Sequence, residues 1–93
     1  MISSSMEFLL FTYPNCSNCE EMKKYLKETD FEGQECSLVL KESKIKIREF
    51  LKFIKRDDKG AIIIPTLILQ EDGQAVAVLN NREELEDWLR SRA

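Results

Sequence analysis

The sequence predicts an α/β domain of order βαβαββα, and three observations carry the prediction. Short continuous apolar runs alternate with stretches of helical period. A strand, a helix and a second strand follow one another within about 35 residues, the spacing of a βαβ crossover. Asp72-Gly73 then separates two apolar runs as a tight hairpin does. A length of 93 residues suits one domain, 1–93, with residues 1–5 expected as a loose N-terminal extension.

Glu7 to Thr12 (EFLLFT), bounded by Tyr13-Pro14-Asn15, suits a strand buried on both faces. From Cys16 to Thr29 the period changes: Cys19, Met22, Tyr25 and Leu26 form one stripe, with Glu20, Glu21, Lys23, Lys24 and Lys27 outside it. Asn15 is the expected N-cap, because Pro14 keeps the helix from starting earlier. Gly33 falls in a polar connection, and Cys36 to Leu40 (CSLVL) reads as the second strand, parallel to the first. Ser43 is the expected cap of a basic helix whose buried stripe is Ile47, Phe50, Leu51 and Ile54, ending at Asp57-Asp58-Lys59-Gly60. Pro65 stands just ahead of a buried strand, Thr66 to Gln70, that could not hold it centrally. Beyond the hairpin turn, Ala75 to Leu79 returns antiparallel. Asn80 or Asn81 caps the last helix, in which Leu85, Trp88 and Leu89 face inward.

Composition narrows the function. With 43% hydrophobic and 33% charged residues, three Gly and two Pro, the chain is neither disordered nor collagenous nor of low complexity. A net charge of −3 argues against a nucleic-acid partner, whose phosphates need neutralising. The charge is uneven: Lys41 to Lys59 holds eight basic and four acidic residues, net +4, and the other six basic and thirteen acidic residues leave −7. A basic helix on an acidic body results, either a solvated face, the simpler reading, or a docking surface. Met1 to Ser5 has no basic residue, and Phe8-Leu9-Leu10-Phe11 is far too short for a signal core or membrane span. A cytoplasmic monomer without a membrane partner is expected. Three cysteines are no disulfide framework, and the absence of histidine removes the commonest general base and every Ser/His or Cys/His arrangement.

The chemistry points to Cys16-Ser17-Asn18-Cys19, where a buried strand gives way to a helix. Unpaired amides and the positive dipole end stabilise an anion there, so the Cys16 thiol should ionise below the free value of about 8.5. Cys16 then attacks, and Cys19, a turn further on, resolves the mixed disulfide. A spacing of three brings both sulfurs within bonding reach and closes a loop small enough to cycle. Glu20 and Glu21 oppose the dipole, but first-turn acids are ordinary in helices. Cys36 reads as a small apolar strand residue. Other uses of the pair are a zinc clip, for which the chain is short of ligands, an iron–sulfur cluster shared between two chains, or a binding module with incidental thiols. Pro65 is either a strand-start residue or the cis partner of Ile64. Only about 5–6% of X–Pro bonds are cis, but a cis bond would offer the Ile64 backbone to an extended thiol substrate.

Taken together, the strand ending in Tyr13-Pro14-Asn15-Cys16-Ser17-Asn18-Cys19, the Ile64-Pro65-Thr66 step and the Asp72-Gly73 hairpin resemble the glutaredoxins, small members of the thioredoxin-fold superfamily. The resemblance covers nearly the whole chain. It implies a four-stranded mixed sheet flanked by three helices, Cys16 as nucleophile, Cys19 as resolving thiol and a cis Pro65 opposite them. It also implies substrate contacts from Tyr13, Pro14, Ile64, Pro65, Thr66, Asn80 and Asn81. The implied activity is thiol–disulfide exchange on protein or glutathione-mixed disulfides, with no bound cofactor and with glutathione or a thioredoxin reductase as electron donor. The sequence departs from the family at three places. Ser17-Asn18 replaces the usual Pro-Tyr between the cysteines, Tyr13 lies where a basic residue is common, and Asn80-Asn81 falls near the usual Gly-Gly.

Overall fold

Each apolar run of the sequence pairs into one sheet, and each run of helical period packs on a face of it. The computed structural model describes residues 6–92; the expected N-terminal extension, residues 1–5, lies outside the described residues. Strand β1 (Met6–Thr12) leads to helix α1 (Ser17–Lys27), β2 (Glu32–Ser37) and α2 (Lys41–Ile47), which tightens into a 3₁₀ turn (Arg48–Phe50). Then come β3 (Thr66–Glu71), β4 (Gln74–Leu79) and α3 (Arg82–Arg92). The expected order βαβαββα holds, as does the mixed four-stranded sheet, ordered β2-β1-β3-β4. β1 runs parallel to β2 and antiparallel to β3, and β3 pairs antiparallel with β4. Asp72 and Gly73 both have positive φ, 53° and 81°, as a two-residue hairpin turn requires.

Strand alternation divides the core into two layers. Leu10, Leu67 and Leu69 meet Met22 and Leu26 of α1 and Leu85 of α3 on one face. Leu9, Phe11, Cys36 and Ile68 meet Ile47, Phe50 and Ile54 on the other. Helices α1 and α3 share the first face, where the Phe31 and Trp88 rings meet edge to face at 6.5 Å and the Arg82 guanidinium lies 5.9 Å from the Tyr25 ring centroid.

The second strand sits four residues earlier than its apolar run. Glu32 to Ser37 pairs with β1 from Glu7↔Glu32 to Thr12↔Ser37, while Val39 and Leu40, expected inside the strand, lie in the following turn, exposed. An edge strand needs apolar side chains only on its inner positions, so a polar sequence can fill it. Gly33 belongs to this strand, not to a connection. A Cβ there would run into the Phe8 carbonyl oxygen and come within 2.6 Å of two Phe8 ring carbons. The basic helix also differs. It begins after Leu40, so Ser43 is a buried residue of its first turn, not its cap. It ends by Phe50, which leaves Leu51 exposed instead of in the buried stripe. Asp57 organises the chain beyond it, its carboxylate accepting the N–H groups of Lys59 and Ala61 at 2.8 and 3.0 Å.

Candidate active site

The strand register brings four chain reversals to one end of the sheet. Thr12 faces Ser37, Phe11 faces Thr66 and Leu67 faces Leu79, so the segments after β1, after β2, before β3 and after β4 all emerge together. The expected site residues lie on three of these segments.

After β1, Asn15 adopts a left-handed φ of 59°, a conformation asparagine accepts more readily than most residues. This turn sets Cys16, in extended conformation, as the N-cap of α1 in place of the expected Asn15. The Cys16 Sγ accepts the Cys19 N–H at 3.1 Å, so the sulfur takes the capping role an oxygen usually fills. Cys16 and Cys19 are joined as a disulfide, with Cα atoms 5.2 Å apart. Cys19 is 1% exposed, in line with Met22 and Leu26, whereas Cys16 is half-buried. An incoming reactant therefore meets Cys16 first. Tyr13 and Pro14 are exposed just ahead of it.

Before β3, the Ile64–Pro65 bond is cis. Pro65 and Thr66 are buried, and the Thr66 hydroxyl donates to the Ile63 carbonyl at 2.6 Å. Ile64 is half-buried and packs toward the α2 layer. The segment is fastened from the far side by Asn80. Its Nδ2 donates to the carbonyls of Ile63 (3.2 Å) and Pro65 (3.1 Å) and to the Thr66 hydroxyl (3.3 Å), while its own N–H donates to the Glu84 carboxylate at 2.7 Å. Asn80 is thus a buried clamp between the Pro65 segment and the start of α3. Asn81 is the cap of α3, its Oδ1 accepting the Glu84 N–H at 2.8 Å. The spacing from Asn81 to Glu84 is that of a capping box, a signal that assigns one asparagine to the helix and leaves the other free for a different task.

A second residue has no single sequence signal. Thr12 is buried on the α1 side of β1, and its hydroxyl donates to Glu35 at 2.7 Å. Glu35 also reaches Lys23 at 3.4 Å, and Lys23 pairs with Glu20 at 2.7 Å. The hydrogen bond to Glu20 pushes the Lys23 ammonium above its ordinary range, with Glu35 adding to the effect against the cost of desolvation. The first-turn acid Glu20 is therefore engaged by a cation next to the cysteine pair. Cys36 lies in the α2 layer, across the sheet from α1. Burial pushes its thiol upward, which nearby Lys46 partly offsets and Glu35 reinforces.

A cavity of about 260 Å³ opens between the starts of α1 and α3, lined by Asn18, Glu21, Asn81, Arg82, Glu83 and Glu86. The Arg82 guanidinium there is bound to Glu86 at 2.8 Å. Among the described residues, no three His, Cys, Asp or Glu side chains gather as a metal-ligand set. Nor is any helix among them long and apolar enough to cross a membrane.

No protein-family model and no curated protein sequence matches the chain. Solved structures do. Thioredoxin-2 of the malaria parasite, from its protein secretion machinery, superposes with a TM-score of 0.63 at 16% identity over 98% of this chain and 86% of its own. Mitochondrial thioredoxin 3 of Saccharomyces cerevisiae, in oxidised form, gives 0.64 at 20% identity over 95% and 79%. Thioredoxin f2 in complex with ferredoxin:thioredoxin reductase gives 0.62 at 15% identity over 97% and 80%. At these identities the likeness is one of architecture, and it extends over almost the entire chain. The protein has the thioredoxin fold, with its cysteine pair at the opening of the first helix.

Proposed function

We propose that this protein is a thiol–disulfide oxidoreductase that reduces disulfides in proteins. The observation that carries the reading is the Cys16–Cys19 pair at the start of α1, Cys16 half-buried with its sulfur accepting a backbone N–H, Cys19 fully buried. In the reduced protein that N–H and the helix dipole favour a Cys16 thiolate. The thiolate attacks one sulfur of the substrate disulfide, forming a mixed disulfide and releasing the other sulfur as a thiolate that takes up a proton. Cys19, on losing its own proton, attacks the Cys16 sulfur. The second substrate thiol leaves, and the Cys16–Cys19 disulfide stores the two electrons' worth of oxidation. Tyr13, Pro14 and the Ile64-Pro65-Thr66 backbone are the proposed substrate contacts, with Asn80 and Asn81 supporting them from α3.

The cavity beside the pair argues for a protein substrate over glutathione. Glutathione carries two carboxylates and one ammonium, and the cavity offers Glu21, Glu83 and Glu86 against an Arg82 already paired with Glu86. A protein reductase is accordingly the proposed electron donor, as one neighbour's complex with ferredoxin:thioredoxin reductase suggests. A reducing compartment such as the cytosol suits this use, with Cys36 kept as a free buried thiol.

Reduction of a disulfide-bridged protein such as insulin tests the proposal, driven in parallel by NADPH with thioredoxin reductase and by glutathione with its reductase. Turnover is expected with the protein donor, slower turnover with glutathione, and none in either arm for Cys16→Ser. Absence of turnover by the unaltered protein with both donors would overturn the activity, and faster turnover with glutathione would overturn the choice of donor.

A further inference from the structure

The basic segment of the sequence turns out to carry most of the exposed apolar surface as well. Among the described residues, Val39, Leu40, Ile45, Leu51 and Phe53 are five of the seven large apolar side chains that are exposed, each by between 40% and 57%. All five lie within or against the stretch whose net charge is +4. On α2, Ser43 and Ile47 are buried, and Phe50 continues that side. At about 100° per residue, Lys41, Ile45 and Arg48 face outward, with Lys44 on one flank and the exposed Glu42 and Glu49 on the other. Among the described residues, Lys41, Lys44 and Arg48 have no ion-pair partner, in common with Lys24, Lys27, Lys46, Lys52 and Lys59.

The turn that leads into this face is tied to the segment that precedes the cysteines. The Leu38 N–H donates to the Thr12 carbonyl at 2.8 Å, which ties the turn bearing Val39 and Leu40 to the segment that leads through Tyr13 to Cys16. Tyr13, 47% exposed, extends the apolar surface toward the sulfur.

We propose that the outward face of α2, together with Val39 and Leu40, docks an acidic protein segment with apolar anchors, so that disulfides flanked by acidic sequence are the preferred substrates. The inference rests on the oxidoreductase reading and names its substrate class. Charge complementarity selects the occupant: unpaired cations interleaved with exposed aliphatic groups match carboxylates interleaved with apolar side chains. The chain outside Lys41 to Lys59, net −7, disfavours an anionic bilayer or nucleic acid, because either would present its charge to a far wider area than this segment.

The test uses two synthetic peptides of equal apolar content, each closed by one disulfide, one flanked by glutamates and the other by lysines. A small uncharged disulfide, measured alongside, reports the dithiol chemistry alone. The reduced protein is expected to reduce the acidic peptide at least about tenfold faster at low salt, the ratio falling toward unity near 0.5 M salt as exposed charges are screened. The double variant Lys44→Glu/Arg48→Glu, both positions being exposed, is expected to invert the ratio. Equal rates for the two peptides, or a ratio unmoved in the double variant, would overturn the docking proposal while leaving the activity standing. A serine-for-cysteine acidic peptide, titrated onto the same protein, separates the two failures. Saturable, salt-sensitive binding supports the surface even if no disulfide is reduced, and no binding overturns it even if the small disulfide is. Co-flotation with phosphatidylserine vesicles without peptide binding would also overturn it.

Discussion

Position in a helix decides what each cysteine can do. Cys16 holds a cap site, where its sulfur meets an amide with no other helical partner; Cys19 is closed off in the apolar stripe; Cys36 is buried in the far layer. The last has a measurable consequence. Burial favours the neutral thiol, so the folded-state pKa of Cys36 is raised above its unfolded value. Its contribution to stability is therefore complete below an unfolded pKa of about 8.5 and is lost as pH rises through the folded value. With Cys16 and Cys19 kept oxidised, denaturant midpoints measured from pH 7 to 10 should fall more steeply for the unaltered chain than for Cys36→Ala. Parallel profiles would show that the thiol titrates alike in the folded and unfolded states, so that burial does not raise its pKa. Asn80 shows the same dependence on position: in the sequence it is one of two adjacent helix-capping candidates, and in the fold it grips three acceptors across the Pro65 segment.

At the scale of elements, the departure of β2 from its apolar run follows from what surrounds an edge strand. Phe8 on β1 needs room beside it, and only a residue without a Cβ leaves that room at the opposing position. Pairing Gly33 with Phe8 fixes the register, and with it the exposure of Val39 and Leu40 in the following turn. Gly33→Ala should accordingly destabilise the protein by about 1–3 kcal/mol, the usual cost of forcing extra volume into a packed site. Urea unfolding would read this directly, and a change below about 0.5 kcal/mol would mean that the β1 backbone at Phe8 and the Phe8 ring both yield freely. Helix α2 is short for a related reason. Once Ile47, Phe50 and Ile54 have met the sheet, a longer straight helix would carry the chain away from the Pro65 segment that must follow. The 3₁₀ turn and the Asp57 turn bring it back.

For the whole molecule, the two layers share one sheet but few partners. Ile47 packs with Leu9 and Phe11, and Leu85 with Leu10 and Leu67, on opposite faces. Truncation of either to alanine should cost about 2–5 kcal/mol. Their effects should add to within about 0.5 kcal/mol, because the cavities lie on either side of the strands. Non-additivity well beyond that in a double-mutant cycle would show the layers to be mechanically coupled. Charge is organised at the same scale, with a positive stretch from Lys41 to Lys59 and a negative remainder.

Much of this was legible from residue order alone. The alternation of periods marks three helices and four strands; Asp72-Gly73 sets the hairpin; the spacing of Cys16 and Cys19 at a strand-to-helix step places both cysteines at the opening of the first helix. These are local properties, written within a few residues of where they act. Tertiary structure decided what depends on neighbours distant in sequence. The register of β2 answers to Phe8, the capping of α1 by a sulfur follows from the left-handed turn at Asn15, and Asn80 becomes a clamp only when β3 and β4 lie side by side. The union of a basic stripe with an exposed apolar turn tied to the segment before Cys16 arises only when β1 and β2 pair in parallel, since parallel pairing places both outgoing segments at the same end of the sheet.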